Sequence, residues 1–183
     1  AAQKAVTMAE RSGNLWHLAH ALIYLGLAHA RLGAREKAIP MFERCAEVAR
    51  RGGKFHPEAS CYRLLSSTFQ RLGDTQRALG YSQKAVEILG NAILVMPQQW
   101  SRAGPESRRW IANLERGHAE SLIELGWNHL ALQQYGAARA AFQKGLVAGR
   151  RLEIPHVTAE ADRGLGAVAV SLQDFPTAVT HLE

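Results

Sequence analysis

The stretch YLGLAHARLGAREKAIPMFERC, residues 24–45, decides the fold. It is apolar, yet it carries small residues at regular places: Gly26, Ala28, Ala30, Gly33 and Ala38. Small residues let two helices approach closely, because the side chains at the contact set the interaxial distance. If the spacing returns along the chain, that approach belongs to a repeating unit.

It does return. With Leu25-Gly26 as a ruler, Leu65-Ser66 follows forty residues later, Leu125-Gly126 sixty after that, and Leu165-Gly166 a further forty on. The same positions recur around each ruler. Leu22, His29, Leu32, Ala38 and Phe42 in the first register become Tyr62, Phe69, Leu72, Ala78 and Ser82 in the second. The third has Leu122, His129, Leu132, Ala138 and Phe142, and the fourth Asp162, Ala169, Leu172, Ala178 and Leu182. Spacings of three and four put Leu22, Leu25, Gly26, His29 and Leu32 on one helix face, and Ala38, Phe42 and Cys45 on one face of a second. Each unit is thus a pair of amphipathic helices. Between them, Gly33 and Gly73 suit helix C-termini, while Asp74 and Asp174 can cap the helices that follow. Pro176 suits a first helical turn. Pro40 sits deeper and predicts a local bend. Gly26 and Ala38 lie where the two helices of a unit cross. A lone pair cannot bury such a face, so neighbouring pairs must stack.

This pattern of aromatic or Leu, Leu-Gly, aromatic, then Ala and an aromatic on a second helix resembles the tetratricopeptide repeat. The resemblance covers nearly the whole chain, with KAVTMAERSGN resembling the second helix of a preceding repeat. It implies an all-α, right-handed superhelical solenoid of antiparallel helix hairpins. The expected division is a single domain over 1–183, with units at about 1–18, 19–58, 59–118, 119–158 and 159–183. The last residues, FPTAVTHLE, stop inside a helical pattern, so the chain reads as a piece of a larger protein with neighbouring domains.

Two departures from the usual 34-residue unit stand out. The forty-residue step is similar to that of spindle-orientation adaptors with Leu-Gly-Asn repeats and of sensor regions in maltose-regulator-like ATPases. The sixty-residue step adds residues between 90 and 120. Helical spacing through Trp110, Ile111, Leu114, His118 and Leu122 leads into the third unit, so two lengthened helices joined near PQQWSRAG are expected as an overhanging hairpin, with a separate short helix as the alternative.

Composition narrows the functional classes. At 183 residues and 47% hydrophobic, the chain can bury a sizeable core. No apolar run reaches the roughly 20 residues that cross a bilayer, and the reading is of a soluble, cytoplasmic protein without a membrane partner. Cys45 and Cys61 form no CxxC motif, and two small core residues in a reducing compartment are expected. The net charge of +6 suits acidic partners, with nucleic acid a rival through Arg102, Arg108 and Arg109. His17 and His20 stand three apart on a predicted helix, but no Cys or acidic residue supports a metal site there. No phosphate loop or catalytic constellation is evident, so neither enzyme activity nor a cofactor is expected.

The resemblance places candidate groove residues. In tetratricopeptide stacks the first helices line the concave face, and positions two before and one after Leu-Gly point into it. These are Ile23 and Leu27, Arg63 and Ser67, Ile123 and Trp127, and Arg163 and Ala167, with Arg31 and Arg71 a turn further on. Ile23, Leu27, Ile123 and Trp127 would supply apolar contacts to a peptide, with Trp127 as anchor. Arg31, Arg63, Arg71 and Arg163 would pair with its carboxylates. Chaperone-binding relatives clamp a terminal carboxylate with Lys and Asn at the places where Ile23 and Leu27 stand, so that clamp is not expected. The implied function is a non-enzymatic interaction scaffold for a peptide or helix segment. A ligand-sensing regulatory module is the alternative.

Overall fold

The computed structural model describes residues 2–100 and 105–182, and side chains for 2–95 and 107–182. Among the described residues the chain is all helix: α1 (Ala2–Ser12), α2 (Leu15–Arg31), α3 (Arg35–Arg51), α4 (Phe55–Arg71), α5 (Thr75–Trp100), α6 (Pro105–Ala131), α7 (Tyr135–Arg151), α8 (Pro155–Ser171) and α9 (Phe175–Leu182). It forms two compact units, Ala1–Ile88 and Leu89–Glu183, so the boundary falls inside α5.

One joint recurs between the helices. In the first unit Gly13, Gly33, Gly53 and Gly73 adopt left-handed φ of 63 to 83°. The amide of the next residue then reaches back to an orphan carbonyl, as Ala34 N–H does to His29 O (3.0 Å) and Asp74 N–H to Phe69 O (2.9 Å). The second unit builds the same joint from Gln133, Glu153 and Gln173 at φ of 53 to 59°. Gln134 N–H accordingly meets His129 O at 2.9 Å, and Asp174 N–H meets Ala169 O at 2.9 Å.

The aspartate caps form as expected. Asp74 accepts from Arg77 N–H (2.9 Å), and Asp174 from Thr177 N–H (3.3 Å). The backbone hydrogen bond from Arg77 lowers the Asp74 pKa, and hydrogen bonding to Thr177, chiefly through its side chain, lowers that of Asp174. Asn14 caps α2 through Trp16 and His17 amides. The helix α3 runs from Arg35 to Arg51 through Pro40.

Glycine accommodates a large side chain in the core of each unit. A Cβ on Gly26 would stand 2.4 Å from the Phe42 ring, and one on Gly126 2.6 Å from the Phe142 ring. Where the ruler carries Ser66 instead, its partner position is the small Ser82, and both are buried. The glycines therefore make room for a ring rather than only for a neighbouring backbone. The first unit's core joins Val6, Leu18, Leu22, Leu25, Cys45 and Cys61, and a second cluster joins Phe42, Leu65, Phe69 and Ala78. In the second unit Ala119, Ile123, Phe142, Val157, Leu165 and Val168 form the core.

Two sequence expectations change here. Cys45 and Cys61 are buried, as expected, but bonded to each other as a disulfide tying α3 to α4. The helical registers bring the two residues face to face across one joint, a closeness that the spacing alone did not reveal. The extra residues of the sixty-residue step go into helix length: α5 has 26 residues and α6 has 27, against 17 in α4 and α7. The helix α5 continues through Pro97 to Trp100, and the join at 101–104 lies outside the described residues, as does the expected overhang built on it. His118 of α6 packs toward Gly90 of α5, whose added Cβ would lie 3.5 Å from its Nε2. Burial first, and Lys144 second, push the His118 pKa down.

Candidate functional site

A pocket of about 330 Å³ opens in the first unit between α2, α3 and α4. The last turn of α2 contributes Leu27, Ala30 and Arg31, and α4 contributes Leu64, Ser67, Thr68 and Arg71. From α3 come Arg35, its first residue, and Phe42, whose ring fills the space above Gly26. The floor is thus apolar and the rim carries three guanidinium groups. Thr68 is satisfied locally, its hydroxyl donating to Leu64 O at 2.7 Å. No lining residue is acidic, and no ion pair among the described residues engages Arg31, Arg35 or Arg71.

Of the residues chosen from sequence, Leu27, Arg31 and Arg71 come together at this pocket. Ile23 is half-buried and packs on the first core cluster, and Arg63 is half-buried on α4 outside the pocket lining. Ile123 needs correction as a groove residue. It is 7% exposed and inserts over Gly145, because that glycine leaves a hole its side chain fills. Trp127 meets the Phe142 ring edge-on at 5.1 Å, and the Arg163 guanidinium lies 4.4 Å from its ring centroid. Arg163 also pairs with Glu160 at 2.5 Å, so both of these candidates already have partners within the second unit.

Sequence reading missed Arg35, Leu64 and the part Phe42 plays in the pocket floor. The expected groove uses first-helix positions, whereas Arg35 and Phe42 belong to a second helix, α3. The available signal was Arg31 and Arg35 lying either side of the Gly33 joint. Elsewhere, His129 Nδ1 lies 2.6 Å from Gln134 Oε1, while His20 stacks 4.0 Å from Trp16 and its Nδ1 lies 3.0 Å from Trp16 O. Arg108 and Arg109 are exposed on α6, and Arg102 lies outside the described residues.

Antiparallel helices joined by one recurring turn, with glycine and ring alternating in the core, define a helical-repeat protein. Residues 3–91 match the tetratricopeptide repeat model, so that stretch is built of tetratricopeptide repeats. Among solved structures it is similar to the crystal structure of BtubC (BKLC) from P. vanneervenii, at 19% identity and a TM-score of 0.71. That match covers 92% of this chain and 62% of the other, so the chain spans about three fifths of BtubC's length and shares its fold. The MamA RS-1 ArsTM double mutant matches at 19% identity over 89% of each chain, but its TM-score of 0.33 carries no argument. Among curated proteins, none matches the sequence. Repeats of this family generally mediate protein–protein contacts and are typically non-catalytic. No helix among the described residues is long and apolar enough to cross a membrane.

Proposed function

We propose that the chain is a non-enzymatic interaction module that docks an acidic, amphipathic peptide segment along the inner face of α2 and α4. The observation that carries this reading is the first-unit pocket. Its apolar floor can take one buried side chain, and its guanidinium rim matches carboxylates beside it. Arginine forks suit carboxylates in pairwise geometry, which fixes orientation as well as charge.

The test is fluorescence anisotropy with a labelled peptide bearing one aromatic side chain flanked by glutamates, alongside a version with lysines in their place. The acidic peptide should bind and weaken as salt is raised. Arg31→Ala with Arg71→Ala should weaken it at least tenfold, about 1.4 kcal/mol, with helicity unchanged. Equal binding of the lysine version, or affinity indifferent to both arginines, rejects the docking face.

Composition favours the cytoplasm, whereas a Cys45–Cys61 bond persists in oxidising compartments. Alkylation of the denatured, unreduced protein separates the two. A mass gain of two alkyl groups means free thiols and a reducing home.

A further inference from the structure

We propose that the pocket between α2, α3 and α4 accepts a phosphorylated side chain. The phosphoryl oxygens would lie on Arg31, Arg35 and Arg71, with the apolar part of the side chain on Leu27, Phe42 and Leu64. This deepens the docking reading above and rests on it.

Charge is the first reason. Three cationic side chains converge on one pocket with no acidic residue lining it. A carboxylate carries a single charge and satisfies one arginine fork. A phosphoryl group carries about −1.5 to −2 near neutrality and offers three acceptor oxygens, enough to engage several guanidiniums together.

The second reason is where Arg35 stands. It opens α3, at the end of a helix where the amide dipoles disfavour a cation. The equivalent first residues Thr75, Tyr135 and Phe175 are uncharged. The helices α5 and α9 have their positive ends answered by Asp74 and Asp174, but the corresponding residue before α3 is Ala34, which makes no side-chain cap. At α3, whose first turn also carries Glu36, Arg35 stands at an end without a side-chain cap, beside a pocket that also receives Arg31 and Arg71. An incoming anion answers both Arg35 and that end at once.

Size is the third. About 330 Å³ is at the lower end of small-ligand sites, suited to one side chain rather than to a whole helix.

The probes are phenyl phosphate, benzoate and inorganic phosphate, followed by calorimetry and by amide chemical shifts. Phenyl phosphate should bind at least tenfold tighter than benzoate and tighter than inorganic phosphate, shifting the amides of Leu27, Arg35 and Ser67. Its affinity should rise from pH 5 to pH 7 as the group loses its second proton near pH 6, while benzoate stays flat there. Arg35→Ala and Arg71→Ala should each weaken it several-fold. Ala34→Asp should do the same while preserving the fold, by giving α3 a carboxylate cap of its own. Phenyl phosphate no tighter than benzoate, or binding unmoved by Arg35→Ala and Ala34→Asp, overturns phosphate recognition. That outcome leaves docking of the unphosphorylated acidic peptide standing, since its titration is separate. Phenyl phosphate binding with no peptide binding of either kind overturns the peptide form and reassigns the pocket to small anions.

Discussion

The two units repeat each other a hundred residues apart, and they differ most where the pocket lies. The helices α3 and α7 begin at Arg35 and Tyr135, and α4 and α8 end at Arg71 and Ser171. Phe42 over Gly26 is matched by Phe142 over Gly126. Around that shared frame, Leu27 becomes Trp127, Leu64 becomes Gly164, and Arg31 becomes Ala131. The second unit's Trp127 packs on Phe142 and under Arg163, and three of its arginines pair with carboxylates, Arg151 with Glu115, Arg163 with Glu160 and Arg150 with Asp162, as Arg44 does with Glu10 and Arg77 with Asp74 in the first. Around the first unit's pocket, no ion pair among the described residues engages Arg31, Arg35 or Arg71. A repeat can therefore hold its packing constant while the groove positions diverge between self-filling and vacancy.

The comparison can be broken most strongly at the disulfide, which joins Cys45 and Cys61 in the first unit, whereas the equivalent positions of the second carry Gly145 and Ala161. Replacing both cysteines by alanine should lower stability by roughly 3 kcal/mol, the loop-closure value for about 15 residues. An unchanged urea midpoint would mean that the bond adds nothing to the frame. Next, Gly164→Leu installs the first unit's residue where a Cβ would already stand 2.4 Å from the Phe142 ring. A loss of about 2 to 3 kcal/mol in urea unfolding is expected from overpacking. A neutral result would show that the ring has room to shift.

The joints offer an opposite sign. Gln133, Glu153 and Gln173 hold left-handed φ that glycine holds in the first unit. Each change to glycine should stabilise by up to about 1 kcal/mol, read as a raised thermal midpoint. Destabilisation would mean that those side chains make contacts worth more than the backbone strain.

The smallest effect concerns pH. Leu18 in the first unit corresponds to His118 in the second, whose pKa is depressed chiefly by burial. A lowered folded pKa favours the neutral ring, so the stability it contributes is present above pH 6.5 and lost as pH falls through the folded value. His118→Leu should flatten that loss as pH falls below 6.5 in denaturant titrations. A slope that survives the change would assign it to other groups.

The repeat, its Leu-Gly register, the glycine joints and the aspartate caps were legible in the sequence, because each rests on contacts within a few residues of one another. The placement of Leu27, Arg31 and Arg71 on first-helix faces was legible for the same reason, since helical phase sets it. Arg35 was not, because its part in the site depends on how a second helix leans over the first. Trp127 read as an exposed anchor, since phase gave its direction but not the presence of Phe142 and Arg163 beside it.

By itself the sequence determined that helices would form, where they would stop and that they must stack, all consequences of periodicity and local hydrogen bonding. Tertiary structure alone decided that Cys45 meets Cys61, that Phe142 and Arg163 enclose Trp127, and that Arg31, Arg35 and Arg71 share an open pocket. Those outcomes depend on side-chain volume across neighbouring helices, a quantity that spacing along one helix does not carry.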